Sequence, residues 1–500
     1  MLSRKKHKLF FRADGGPTVG MGHIMRCLAL AEMLQEEYEI FFVTRSTEAS
    51  IQGLIKAHDF NCIELSPGSK IIEELEVIAE SSNFSSCLIV LDGYHFTAEY
   101  EKALVKAGHK VLSIDDLHQR PFFADVVLNH AGGVDAQSYK TSLHTRLCLG
   151  PQYALVREVF RQKRLQERQK GSLLLAMGGA DPNNITQHLL NLLQAIKFQE
   201  PIVLILGAAF RHELKVSESF RVKVLRNATP AELAEQYRKA GVALLPSSTM
   251  AYEACATRVT LICGVIADNQ QLLHRFLSSN QLALDAGAWE EMNAEKLKAL
   301  IQQALQPSFQ EEQLKAQEAF FDNQQKERIL KIFKKLQKEK ELQIRKAAPE
   351  DCELYFRWAN DAETRKQAIH PEPIPWEKHV SWFNRKLAQE DSTLYLLEKE
   401  GKAVGQVRFD ADPEERNTFI ISYSMAPEVR GQGLGEAVLQ NALRVFQQER
   451  KGEVILHALV KERNLASVRI FENLSFTSVG KTELKKEVYW KFRKKAYERI

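Results

Sequence analysis

The chain has 500 residues, 44% hydrophobic and 26% charged, a soluble globular composition with room for about three domains. Its 68 Lys+Arg against 64 Asp+Glu leave a net charge of +4, too balanced for a dedicated nucleic-acid binder. No run approaches the roughly 18 apolar residues of a membrane span, the best being Ile202–Leu206, and the basic start Met1–Lys8 leads into no signal-peptide core.

The first 330 residues alternate β-rich runs with amphipathic stretches. Strands are expected at Lys8–Phe11, Ile40–Thr44, Leu88–Leu91, Lys110–Ile114 and Val126–Leu128. A second series follows at Leu173–Met177, Ile202–Leu206, Val222–Leu225, Val242–Leu245 and Val259–Cys263. Several are continuously apolar, as central parallel strands are, so the pattern predicts two doubly wound, Rossmann-like α/β domains. Arg157–Lys170, basic and Gln-rich, reads as their connection, and Thr229-Pro230 as a helix start. Glu311–Glu341 predicts one long solvated helix closing the second half, or a spacer. After Leu342 a third, mixed α/β domain is expected. The boundaries are 1–156, 157–340 and 341–500. Seven cysteines (Cys27, Cys62, Cys87, Cys148, Cys255, Cys263 and Cys352), with no C-x-x-C pair, predict reduced thiols in a cytoplasmic protein and no zinc site.

Gly15-Gly16-Pro17-Thr18-Val19-Gly20-Met21-Gly22-His23 follows the first strand and opens a helix. Gly20 and Gly22 permit close backbone approach to a ligand, and the helix N-terminus favours an anion. The same dipole disfavours a protonated His23, leaving an imidazole suited to act as a base. The plainer alternative is a glycine turn with a packing histidine. A dinucleotide G-x-G-x-x-G reading fails, because Met25 stands three positions beyond Gly22.

This string resembles the N-terminal motif of the UDP-sugar hydrolase family of pseudaminic acid biosynthesis. Further matches follow in order: Leu91-Asp92-Gly93-Tyr94, Ser113-Ile114-Asp115-Asp116, Asn129, Tyr153-Ala154-Leu155-Val156-Arg157, Met177-Gly178-Gly179-Ala180-Asp181, Pro246-Ser247-Ser248-Thr249-Met250-Ala251-Tyr252-Glu253 and Asp268-Asn269-Gln270. The resemblance covers about residues 8–285. It implies two domains of glycosyltransferase-B type and metal-free cleavage of a UDP-linked diacetamido sugar at its anomeric carbon. By the motif match His23 activates water, and Tyr94 and Asn269 position sugar and water. Asp92 either orients them or simply ends its strand. Gly178, Gly179, Ser247, Ser248 and Thr249 lie at strand–helix turns suited to a diphosphate. Glu253 would take the ribose hydroxyls; otherwise it is a surface helix acid. Gly93, Tyr252 and Met25 depart from the expected pattern.

Near the C-terminus, Met425-Ala426-Pro427-Glu428-Val429 leads into Arg430-Gly431-Gln432-Gly433-Leu434-Gly435 before a helix. Successive N–H groups there can wrap a pyrophosphate, with Arg430 and Gln432 within reach of it. This turn resembles the acetyl-CoA signature of GNAT N-acetyltransferases. Val404–Val407, Val454–Val460 and Asn464–Phe476 match the flanking strands and last motif. The resemblance, over about 342–495, implies Met425, Arg430, Gly431, Gln432, Gly433, Leu434, Gly435 and Asn464 as acetyl-CoA ligands. Phe471 departs from it: many relatives carry a Tyr there that protonates the departing thiolate, so water or another hydroxyl is needed. The amine's base is not identifiable; Glu428 is a weak candidate. His370, Glu372 and Glu377 line either an acceptor pocket or the surface, and Trp376 and Trp382 either core or pocket.

Together the resemblances imply consecutive steps: acetyl-CoA-dependent N-acetylation of a UDP-4-amino-sugar, then hydrolysis of the UDP-2,4-diacetamido product. Alternatives are a legionaminic-type precursor, a glycosyltransferase fused to an unrelated acetyltransferase, and a non-catalytic sugar-nucleotide sensor. The expected partner is a small UDP-sugar, with no nucleic acid, membrane or metal.

Overall fold

The apolar runs build two all-parallel sheets followed by a mixed one. The computed structural model describes residues 6–16, 19, 21–45, 49–83, 86–162, 169, 171–450 and 452–496. All ten expected strands are present, within two residues at each end.

The first sheet contains His7–Ala13, Tyr38–Thr44, Asn61–Glu64, Leu88–Asp92, Lys110–Ile114, Val126–Asn129 and Arg146–Leu149. Numbering only these strands, their spatial order is 3-2-1-4-5-6-7. The second contains Leu173–Ala176, Ile202–Leu206, Val222–Arg226, Val242–Pro246, Thr260–Val265 and Leu284–Ala288, in the order 3-2-1-4-5-6. Each therefore has a switch point beside its first strand, where ligands bind at strand C-termini. His23 and Asp92 lie at the first switch point, and Gly178 at the second.

Tyr252 explains one departure from the expected motif. Its hydroxyl donates to the His130 carbonyl and accepts from Gly132 N–H, both at 3.0 Å, tying the second domain to the first. A Cβ at Gly132 would lie 2.0 Å from the Phe276 ring, so only glycine permits this approach. Tyr252→Phe leaves two backbone groups without their partner. We expect it to lower stability to urea by about 2 kcal/mol; an unchanged midpoint would mean water replaces the hydroxyl.

The expected single helix over 311–341 is instead two, Pro307–Phe320 and Gln325–Lys340, broken at Asn323, whose φ is +63°. Nor does the second close the second domain or lie in solvent. Its Ile329, Ile332, Phe333 and Leu336 pack into the first domain's core with Leu28, Tyr38 and Phe42. The chain thus returns to its first domain before entering the third.

The third sheet runs from Leu342–Lys346 to Glu487–Ala496 and is antiparallel except at one pair. Thr418–Met425 and Val454–Lys461 run parallel, paired only from Thr418↔Ile455 to Ile420↔His457. Beyond Ile420 they diverge, opening a V at the end where the glycine turn lies.

This third domain is welded to the first. The helix Gly435–Gln448 has eleven buried residues, among them Glu436, Gln440, Asn441, Arg444 and Gln447. Arg146 reaches Glu436 and Glu339, both at 2.9 Å. Lys110 contacts Asp125 at 3.1 Å, Asn441 at 3.3 Å and Glu339 at 3.4 Å. Leu143 joins the third domain's core, and its N–H donates to Gln447 at 2.6 Å. Lys494 donates to the Thr145 carbonyl at 2.9 Å, and Arg444 and Gln440 to carbonyls of the first domain. All seven cysteines are free thiols. No helix among the described residues is long and apolar enough to cross a membrane.

Candidate active sites

The parallel register sets Ala13 beside Asp92, so the glycine segment and the Asp92 loop leave the sheet together. His23 is the second residue of helix Gly22–Leu34 and is only 5% exposed. Its Nδ1 lies 2.7 Å from Asp92 Oδ1. A carboxylate only accepts, so Nδ1 carries a proton, and in the neutral imidazole the lone pair is then on Nε2. Arg26, one turn along, donates to Asp92 at 2.7 and 2.6 Å and to Asp116 at 3.0 Å. Burial pushes Asp92 upward, but Arg26 and His23 outweigh it and hold its carboxyl below the usual range.

Tyr94 is 59% exposed; its ring stands edge-on to His23 at 4.7 Å and its hydroxyl donates to Asp116 at 3.0 Å. Desolvation and the Asp116 charge push its phenol up to about 12, keeping the proton at neutral pH. Gly93, another departure, is explained by space: a Cβ there would lie 2.9 Å from His95. Arg26 and Asp116 received no role from the sequence. Arg26's signal was its i,i+3 spacing from His23 on one helical face. Gly22 is exposed at the helix start, and Gly20 lies outside the described residues.

In the second domain Gly178, with φ +86°, and Gly179 open onto free space at the end of their strand. Gly207, missed in the sequence, approaches so closely that its Cβ would meet the Gly179 backbone at 2.4 Å. Thr249 is exposed and Ser248 caps its helix through Met250 N–H. Ser247 is 1% exposed and 2.9 Å from His274 Nδ1, while His274 Nε2 is 2.9 Å from Asp285. Ser247 is thus buried and hydrogen-bonded to His274 within the domain rather than open to a phosphate. Glu253 is no surface acid. It is 8% exposed and held by Arg157 at 2.8 Å, with burial pushing its carboxyl upward. In this arrangement it is held in an ion pair with Arg157 at the start of the linker rather than facing an open ribose site. Asn269 is exposed on the turn after strand Thr260–Val265 and makes no hydrogen bond to the His23 cluster among the described residues.

In the third domain Gly431 and Gly433 have φ +76° and +69°, a conformation that favours glycine. Gly435 opens the helix, with Leu434 before it. Met425 packs beside Gly405 and Gly435. Arg430 turns away from the loop to Asp361 at 2.6 Å and Thr364 at 3.1 Å. Gln432 turns back to the Glu428 carbonyl at 3.0 Å. Asn464 caps the helix Leu465–Asn473 through Ser467 N–H at 3.2 Å. These three side chains are therefore engaged within the protein, and the backbone is what the loop presents. Phe471 is 2% exposed and stacks on Phe492. Across from it Tyr423, its phenol pushed upward by burial, shares a 2.8 Å hydrogen bond with Ser467. Trp382 packs beside Tyr355, Trp358 and Phe383, whereas Trp376 is 43% exposed and edge-on to Phe356. His370 contacts Lys485 at 2.8 Å, and Glu372, Glu377 and Glu428 are exposed.

Residues 341–477 match the family model described as Acetyltransferase (GNAT) domain. An uncharacterized protein of Methanocaldococcus jannaschii is 23% identical over an alignment of 518 residues, spanning 96% of this chain and 99% of that one. The UDP-2,4-diacetamido-2,4,6-trideoxy-beta-L-altropyranose hydrolase of Campylobacter jejuni is 31% identical over 183 residues, 36% of this chain and 63% of its own length. The spore coat polysaccharide biosynthesis protein SpsG of Bacillus subtilis is 22% identical over 302 residues, 57% of this chain and 85% of that one. The chain thus joins an N-terminal region similar to that hydrolase to a C-terminal GNAT acetyltransferase domain.

Proposed function

We propose that the chain is a bifunctional nucleotide-sugar enzyme that N-acetylates a UDP-4-amino-sugar and then hydrolyses the UDP-diacetamido product. The observation that carries the hydrolase step is the buried His23–Asp92 pair, 2.7 Å apart at a switch point in the hydrolase-like region. His23 Nε2 takes a proton from water as the water oxygen bonds to the anomeric carbon. The carbon–oxygen bond to UDP breaks, its electron pair leaving on the diphosphate. Asp92 keeps the imidazole in the useful tautomer and offsets the charge it gains. Tyr94 holds the sugar, and Asn269, exposed on the second domain, positions sugar and water with it. Gly178, Gly179, Ser248 and Thr249 bind the diphosphate. The two doubly wound sheets suit a glycosyltransferase-B-type cleft, with Glu253 reaching the ribose only if Arg157 releases it.

For acetylation, the left-handed glycines and the V between the parted strands suit acetyl-CoA, which supplies the acetyl group when bound. The N–H groups of Gly431–Gly435 bind its phosphates. Tyr423 would stand in for the phenol that Phe471 lacks: as the amine bonds to the acetyl carbon and the carbon–sulfur bond breaks, its hydroxyl protonates the leaving thiolate, and the proton lost by the amine returns to the phenol through water. We assign the sugar to the 2,4-diacetamido-2,4,6-trideoxy-altropyranose of the Campylobacter jejuni hydrolase, hence to the pseudaminic type, and the setting to the cytoplasm.

The test is proton NMR of the full chain with UDP-4-amino-4,6-dideoxy-N-acetyl-altrosamine, with and without acetyl-CoA. The expected result is a new acetyl signal on the 4-amine, then UDP release. Acetylation without UDP release unless an acceptor sugar is added would replace the hydrolase reading with a transferase. No reaction at all would exclude this sugar.

A further inference from the structure

We propose that Lys338, on the helix that precedes the acetyltransferase domain, binds a phosphate of acetyl-CoA, so that the cofactor site is completed from outside that domain. The proposal rests on the acetyl-CoA reading above. Lys338 lies in Gln325–Lys340, whose apolar face packs into the first domain. Its Nζ donates to the Gln432 carbonyl at 3.1 Å, and a Cβ at Gly433 would lie 3.3 Å from it. The ammonium therefore stands against the middle of the glycine turn.

The surrounding charges single it out. Arg430, the turn's own cation, is committed to Asp361 at 2.6 Å. Lys335, one turn earlier on the same helix, is committed to Glu436 at 2.7 Å. Glu436, which would repel a phosphate from the first turn of its helix, is neutralised by Lys335 and by Arg146 at 2.9 Å. Among the described residues no carboxylate pairs with Lys338, whose ammonium meets a neutral carbonyl instead. An ammonium on a half-buried lysine beside amide donors gains from an anion there, since charge-assisted hydrogen bonds are the strong ones. Because Gln325–Lys340 is fixed to the first domain, occupancy of this site would also depend on how the two domains sit together.

The experiment is calorimetric titration of the full chain with CoA and with 3′-dephospho-CoA. Lys338→Glu is expected to weaken CoA binding about tenfold or more, and Lys338→Arg to stay within about threefold of the unaltered chain. Lys334→Glu, on the exposed face and paired at 3.4 Å with Glu37, is the control and should bind normally. A weakening that disappears with 3′-dephospho-CoA assigns the contact to the 3′-phosphate; one that persists assigns it to the diphosphate. Lys338→Met, which keeps the packing stem, replaces the glutamate variant if that one does not fold. If the unaltered chain binds CoA and the Glu or Met variant binds equally well, the role of Lys338 is overturned while the acetyl-CoA reading stands. If the unaltered chain binds no CoA, the acetyl-CoA reading itself falls.

Discussion

His23→Ala is expected to slow UDP release by about 10²–10⁴-fold while leaving acetylation intact, because it removes only the proton acceptor of the first site. Asp92→Asn should cost a similar factor with the imidazole still in place. An amide can present N–H to Nδ1 and so move the ring proton to Nε2, where no lone pair then faces water. Arg26 would be left with one carboxylate partner, Asp116 at 3.0 Å, so the asparagine variant also tests whether this guanidinium orients the pair. Tyr94→Phe should lose about tenfold, the worth of one hydrogen bond to the sugar. Since the Tyr94 phenol is pushed up to about 12, its proton stays through the neutral and mildly alkaline range, and rates there should not fall on its account. Stopped assays of UDP release and of acetyl transfer on the same samples separate these effects. Equal loss of both activities in His23→Ala would mean a folding defect, and normal UDP release would remove His23 from the chemistry.

The parallel strands were legible because burial on both faces makes them continuous apolar runs, as Leu88–Asp92 and Val242–Pro246 are. Asn61–Glu64 escaped because it is a half-exposed edge strand without that run. His23, Asp92 and Tyr94 were visible through their places at a glycine turn and a strand end, and the structure brings all three together. Asn269 lies on the other domain, and nothing in its local sequence says how far it stands from His23. Glu253 and Ser247 show the opposite limit. The turn position of Ser247 and the family resemblance at Glu253 suggested ligand contacts, yet His274, 27 residues away in the chain, and Arg157, 96 away, claim them. Such pairings depend on where distant elements pack. The same holds for Gln325–Lys340, whose Lys/Glu/Gln-rich text reads as solvated. Its four apolar residues at helical spacing instead pack into the first domain's core, and Glu339, 1% exposed, meets Arg146 and Lys110 from strands far earlier in the chain.

That buried charge makes Arg146→Ala the substitution with the largest expected effect on stability. Arg146 is 5% exposed and bridges Glu339 on the connecting helix to Glu436 on the helix behind the glycine turn. Removing the guanidinium strands buried carboxylates, and breaking such a pair typically costs about 3–5 kcal/mol. Lys110, 3.4 Å from Glu339 but also serving Asp125, cannot compensate fully. The double variant Arg146→Met with Glu339→Gln should recover most of the loss, because Glu436 keeps Lys335 at 2.7 Å and Asn473 at 3.1 Å. The damage should not stay local. Leu143 belongs to the third domain's core, and Gln447, Lys494 and Arg444 all bond across the seam. Loss of the first domain therefore exposes a polar, incompletely paired helix in the third. Thermal inactivation of UDP release and of acetyl transfer should share one midpoint in the unaltered chain and fall together in Arg146→Ala. Two separate midpoints, with only one shifted, would show the seam to be passive and the two enzymes to be joined by the chain alone.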